Sequence, residues 1–188
     1  MKKIIADPEA SFFTQNGFVE LEIDHEKIPY SPDRDQWRTD KGLEKFLIKA
    51  IGPIALELTG KKRLRLGMSE WVTQENRPPK SGSLKELFSI QNVTLAVAMA
   101  SNPNPCDKKS SLGILPVPAS PSNILFFRPD LLLDWPHVLT DLFLILFTLP
   151  NAVYIRNPKD PRSTYLKTFG YQYGDLLRTE THPLIFAY

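Results

Sequence analysis

Leu56-Glu57-Leu58-Thr59-Gly60-Lys61-Lys62-Arg63-Leu64-Arg65-Leu66 reads as the end of a helix, a turn and the start of a core strand. Gly60 stands where helices stop, because a residue without a side chain takes the left-handed conformation that closes the last turn. Beyond it basic and apolar residues alternate, which predicts a strand with Arg63 and Arg65 on one side and Leu64 and Leu66 toward the core. On this reading Lys61, Lys62, Arg63 and Arg65 form the solvated side of that strand. A phosphate-binding patch would need aromatic residues interleaved for base stacking, or a second basic block nearby, and the segment has neither.

Upstream, Leu43, Phe46, Leu47, Ala50, Ile51 and Ile54 recur at the spacing of a buried helical stripe, with Thr39 or Asp40 as the cap. Pro53 lacks an amide hydrogen and must kink or divide this helix. From Ile28 to Arg38 the chain reads as a loop that Trp37 anchors to the body. Between Phe12 and Ile23, a turn at Asn16-Gly17 leads into Phe18-Val19-Glu20-Leu21-Glu22-Ile23, whose alternation predicts a half-exposed strand.

Downstream the chain is rich in strands. Val93 to Ala100 puts Val93, Leu95, Val97 and Met99 on one side and Thr94, Ala96, Ala98 and Ala100 on the other. Gly113 to Val117, Asn123 to Arg128 and Asp141 to Leu149 read as further strands, divided by Pro116, Pro118, Pro121, Pro129 and Pro136. Leu142 to Leu149 is too short for the roughly 20 apolar residues that cross a bilayer, so it is a buried strand and not a membrane span. Seventeen prolines disfavour long helices. Short strands after one helical block predict a sheet sandwich or barrel with helices packed outside it, as a single domain over residues 1–188.

Composition narrows the partners. With 42% hydrophobic residues in 188 the chain can bury one core, and a net charge of +2 is no argument for nucleic acid. The single cysteine, Cys106, excludes an internal disulfide and any multi-cysteine zinc site, and suits a reducing, cytoplasmic setting. Asp7, Pro8 and Glu9 cut short the apolar start, so no export signal is expected. Neither the Gly-x-Gly-x-x-Gly fingerprint nor a Gly-Lys-Ser/Thr phosphate loop occurs.

Several segments, in order, resemble the phytanoyl-CoA dioxygenase-like proteins, which are iron and 2-oxoglutarate oxygenases. Phe12-Phe13-Thr14-Gln15-Asn16-Gly17-Phe18-Val19 looks like their opening, where a helix presents an aromatic residue before a Gly-Phe strand start. Leu56 to Leu66 is similar to their helix, turn and first core strand. Gly113 to Pro118 with Asn123 to Phe127 resembles the strands around their proline-rich turn, and Leu166 to Leu177 with His182-Pro183-Leu184 resembles their C-terminal tail. The resemblance covers most of the chain thinly. It implies an α+β protein with a double-stranded β-helix (jelly-roll, cupin-like) core and flanking helices, and a bacterial, in particular a chlamydial, source.

The same resemblance implies iron held by two histidines and one carboxylate, with 2-oxoglutarate alongside. The only histidines are His25, His137 and His182, and none begins the His-x-Asp or His-x-Glu unit such a site requires. Where that unit belongs, before Val93, the chain has Ser81 to Ile90, in which Glu86 alone offers a carboxylate. His137 stands before the strand from Asp141, as the family's distal histidine does, and Asp141 could add a carboxylate. The nearest later cation to grip 2-oxoglutarate is Arg156. His25 reads as part of a solvated segment, His182 as part of a tail packed on the core, and Cys106 as a structural thiol.

The leading expectation is an oxygenase-like fold whose iron triad is lost, with no catalytic residues, no cofactor, and an unknown small molecule or protein bound in the old cavity. The first alternative is an active oxygenase using iron(II) and 2-oxoglutarate through Glu86, Asp141 and His137. The second is a metal-responsive regulator that binds nucleic acid through Lys61, Lys62, Arg63 and Arg65.

Overall fold

The computed structural model describes residues 4–76, 78, 80, 82–84, 87–100, 122–133 and 141–187. The first element is a helix, α1 (Asp7–Asn16), with Pro8 in its first turn, where the missing amide hydrogen costs nothing. Phe12 to Asn16 therefore belong to a helix, and the strand expected there, β1 (Phe18–Glu22), starts one residue past Gly17. Asp40 caps α2 (Lys41–Phe46) by accepting a hydrogen bond from the Leu43 amide at 2.9 Å. The helix then widens into a π-turn over Leu47–Ile51 and resumes as α3 (Gly52–Thr59). Pro53 at the head of α3 is the physical reason, since its ring and missing donor break the regular ladder just before it. Gly60 closes α3 at φ +64°, and Lys61 N–H bonds back to Leu56 O at 3.1 Å.

The remaining strands are β2 (Arg63–Val72), β3 (Gly82–Ser83), β4 (Val93–Ala100), β5 (Asn123–Phe127), β6 (Leu132–Leu133), β7 (Leu142–Thr148) and β8 (Leu184–Phe186). Six form one antiparallel sheet in the order β1-β5-β4-β7-β2-β8. β7 lies near its centre and is buried along its whole length, as its unbroken apolar run requires.

Both faces of this sheet are covered. Leu43, Leu47, Ile51 and Ala55 of the helices pack on Leu64, Leu66, Leu95, Val97, Phe143 and Ile145. On the other, inner face lie Met68, Ala96, Ala98, Leu144, Leu146 and Phe127, covered by Phe88, Ile90, Tyr154 and Leu166. The large-and-small alternation of β4 therefore divides two cores. Each fully buried Leu, Ile or Phe stabilises the fold by roughly 1.5–3 kcal/mol against exposure.

The expected second sheet is present only in small part among the described residues. β3 pairs with β6, and two isolated bridges, Ile90↔Tyr154 and Val153↔Leu176, continue the covering layer. From 150 to 183 the chain runs as turns, bridges and a 3₁₀ helix (Tyr165–Phe169), because Pro150, Pro158, Pro161 and Pro183 deny the donors a regular ladder needs. The described part is a curled half-barrel with helices on its outer face. The strand expected at 113–117 lies outside the described residues. Among the described residues no helix is long and apolar enough to cross a membrane.

Candidate functional site

Gly67 decides what the inner face displays. Leu66 is opposite Phe147 while Met68 is opposite Leu146, so β2 carries one extra residue at a bulge. Past it the alternation inverts: Met68 and Val72 join the inner core and Trp71 the helical one, which aims Glu70 inward. A Cβ on Gly67 would lie 2.7 Å from Thr148 Cγ2 and 3.1 Å from Leu146 O, so a glycine is needed for the strands to approach this closely.

Glu70 meets Arg34 there. The Arg34 Nε and Nη2 donate to Glu70 Oε2 at 2.9 and 2.6 Å, while Nη1 and Nη2 donate to Asp160 at 3.1 and 2.9 Å. A further bond from Nη1 reaches Arg162 O at 3.4 Å, so all five N–H groups of the guanidinium are engaged. Asp160 also accepts from the backbone amides of Ser89 and Arg162 at 3.0 and 2.9 Å. Burial alone would raise the Asp160 carboxyl, but the bonds and charge of Arg34, with the two amides, outweigh it and hold it below its ordinary value. Arg162 completes the group with its Nε 3.4 Å from Glu70 Oε1.

Asp35 ties this cluster to the sheet edge. Its N–H donates to Ser69 O at 2.7 Å and its Oδ1 accepts from Ser69 N at 2.8 Å, sealing β2 where β8 no longer covers it. Its Oδ2 holds Arg38, which also donates to Thr181 O and, at 3.1 Å, to His182 Nε2. Arginine can only donate, so the His182 proton sits on Nδ1, within reach of Thr181 Oγ1 at 2.9 Å and the Tyr171 hydroxyl at 3.2 Å. Burial first, then the charges of Arg38, Arg65 and Arg178, push the His182 imidazole down to about 3.

A narrow cleft with room for about one solvent molecule opens against the network, lined by Arg34, Asp35 and Arg162 together with Gly67, Ser89 and Tyr165 among others. Tyr165 donates to Arg34 O at 2.9 Å and is pushed up to about 12, chiefly by burial and then by the Asp35 charge. Burial also raises Tyr154, whose hydroxyl donates to Ser163 O. Both phenols keep their protons at neutral pH and cannot act as bases. The chemistry the described cleft offers is recognition by hydrogen bonds.

The sequence candidates fall elsewhere. Glu86, His137 and Cys106 lie outside the described residues. Asp141 is half-buried at the residue before β7, and Arg156 is exposed on the loop beyond Tyr154. Lys61, Lys62 and Arg63 are exposed, but Arg65 is 5% exposed and donates to His182 O and Pro150 O, which corrects its assignment to a solvated face. The cause is the C-terminal tail, which folds over the end of β2. His182 is fully buried, and His25 is half-buried with its Nδ1 2.8 Å from Glu26 O.

Arg34, Glu70 and Asp160 were not singled out from sequence. The available signal was Glu70 itself, an acid inside the otherwise uncharged run from Leu66 to Val72. Among the described residues no three His, Cys, Asp or Glu side chains come together as metal ligands. Glu70 and Asp160 do approach each other, but a guanidinium lies between them. The described donor set does not fit a ferrous ion.

No protein-family profile matches the chain, and no curated protein matches it in sequence. Solved structures do match. The chain is similar to SnoK, a non-haem α-ketoglutarate-dependent carbocyclase from nogalamycin biosynthesis, with TM-score 0.68 and 13% identity over 97% of each chain. It is also similar to the epimerase SnoN in complex with Fe3+, α-ketoglutarate and nogalamycin RO, with TM-score 0.65 and 13% identity over 95% of this chain and 97% of that one. CT296 from Chlamydia trachomatis gives a weaker likeness, with TM-score 0.45 and 15% identity over 79% of this chain. At such identity the likeness is one of fold, and the chain has the fold of the non-haem α-ketoglutarate-dependent enzymes SnoK and SnoN.

Proposed function

We propose that this protein is an oxygenase-fold scaffold that binds a small molecule or a protein partner on its inner face without iron chemistry. The observation that carries this reading is Arg34: the two carboxylates that meet on the inner face, Glu70 and Asp160, are joined by its guanidinium. The missing His-x-Asp and His-x-Glu units point the same way. The closed jelly roll, the narrower phytanoyl-CoA dioxygenase-like assignment and the bacterial source rest on the sequence resemblance and enter as part of the proposal.

The likeness to SnoK and SnoN favours a second reading, an oxygenase with an atypical ligand set that includes Glu86 and His137. Anaerobic titration of the purified protein with ferrous iron, followed by 2-oxoglutarate, separates the two. The scaffold reading expects no stoichiometric iron and no conversion of 2-oxoglutarate to succinate under oxygen. Stoichiometric iron with succinate formation that Glu86→Gln or His137→Gln abolishes would overturn it.

A further inference from the structure

Arg65 is a buried cation with no paired counter-charge among the described residues. It is 5% exposed, and among the described residues no carboxylate reaches ion-pair distance of its guanidinium. Its terminal nitrogens donate to two neutral carbonyls, His182 O and Pro150 O, and its Nε–H is buried with no partner. Thr148 is its register partner on β7, so the two side chains stand side by side on one face of the sheet. The Thr148 hydroxyl, on a fully buried residue, also has no partner among the described residues.

Two unsatisfied donors beside an unneutralised charge are costly in a low-dielectric interior, where polar groups are almost always paired. The described surroundings do not supply a paired negative charge. Arg38 and Arg178 stand close enough that, with Arg65, they help hold His182 neutral, while the Asp35 carboxylate is committed to Arg38 and Ser69. Glu180 is exposed and acts on Arg65 only through its field. Gly67, two residues along β2, lines the cleft on the same inner face, and Ser89 lines it with a buried hydroxyl that is also unpartnered.

We propose that Arg65 Nε–H and Thr148 Oγ–H together hold one small monovalent anion of chloride or formate size, which neutralises Arg65 beneath the C-terminal tail. The site is independent of the iron question, since it uses no metal ligand and no residue of the Arg34 network. The pairing of one guanidinium N–H with one hydroxyl suits a compact acceptor of single charge.

Two measurements on the full chain test it, with chloride and bromide as probes. Crystals of the wild-type protein grown in sodium bromide should show an anomalous peak within hydrogen-bond reach of both Arg65 Nε and Thr148 Oγ1. A water at that position, or a direct Arg65 to Thr148 bond, overturns the proposal. In solution, chloride-35 line broadening should follow a binding curve in the wild type, persist in Thr148→Ser, and require at least about tenfold more chloride in Thr148→Val. Thr148→Val is nearly isosteric, and circular dichroism establishes that it is folded before the comparison. Equal broadening in wild type and Thr148→Val overturns the proposal even with a crystal peak, which would then be an adventitious ion only.

Discussion

Arg34 and Asp160 stand 126 positions apart in the chain and meet through two hydrogen bonds, Nη1 to Oδ2 at 3.1 Å and Nη2 to Oδ1 at 2.9 Å. The same guanidinium holds Glu70 from β2, so one side chain ties the segment before α2, the sheet and the covering loop together. Such a buried group stabilises little compared with apolar side chains of the same shape, yet removing one member strands the others.

Asp160→Asn should therefore lower stability by about 3–5 kcal/mol, because it leaves a buried cation with half its compensation. Urea unfolding of the two proteins at pH 7 measures this, and a loss within experimental error would show that the network is dispensable. The pH dependence has a definite sign. The folded carboxyl lies below its unfolded value of about 3.9, so its contribution is complete above that pH and is lost as pH falls through the folded value. Asp160→Asn should flatten the acid limb of the stability curve.

Local features of this fold were legible in the sequence wherever a few adjacent residues decide the outcome. Gly60 as a stop, Pro53 as a break and the two-sided pattern of Val93–Ala100 all appear as read, and of the two caps offered, Thr39 and Asp40, it is Asp40 that caps, because each acts on its own turn or strand. The strand after Gly60 was read correctly at Leu64 and Leu66 but wrongly at Arg65, since the tail that buries Arg65 arrives from residues 182 to 186. The bulge at Gly67 was invisible for a related reason: it is defined by register against Phe147 and Leu146. Glu70 and Asp160 could not be joined from sequence at all, because the residue that joins them, Arg34, looks like one charge among several in a loop.

His182 gives a second test with the opposite chemistry. It is a base buried neutral, held at about 3 by burial and by Arg38, Arg65 and Arg178, against an unfolded value of about 6.5. The unfolded chain therefore takes up a proton between those values and the folded chain does not. Stability is complete above about pH 6.5 and falls by up to roughly 1.4 kcal/mol for each unit below it, until the folded value is reached. His182→Gln should be less stable at pH 7.5 but lose less on going to pH 5 than the wild type. Equal losses in urea midpoints across that interval would show that another group carries the acid sensitivity.

The close approach at Gly67 makes a prediction that rests on packing alone. Alanine there places its Cβ 2.7 Å from Thr148 Cγ2, and Thr148 is fully buried with a stiff, β-branched side chain. Gly67→Ala should cost about 1–3 kcal/mol, the usual penalty for an extra methyl in a filled interior. Thr148→Ser removes the Cγ2 that the new methyl meets, while the Leu146 carbonyl oxygen at 3.1 Å stays in place. The double variant should then recover part of the loss, giving a favourable coupling between the two sites. Thermal unfolding of wild type, both single variants and the double variant closes this cycle. If the two losses simply add, the strand spacing at the bulge is set by something other than the contact between residues 67 and 148, and the inward turn of Glu70 needs a different cause.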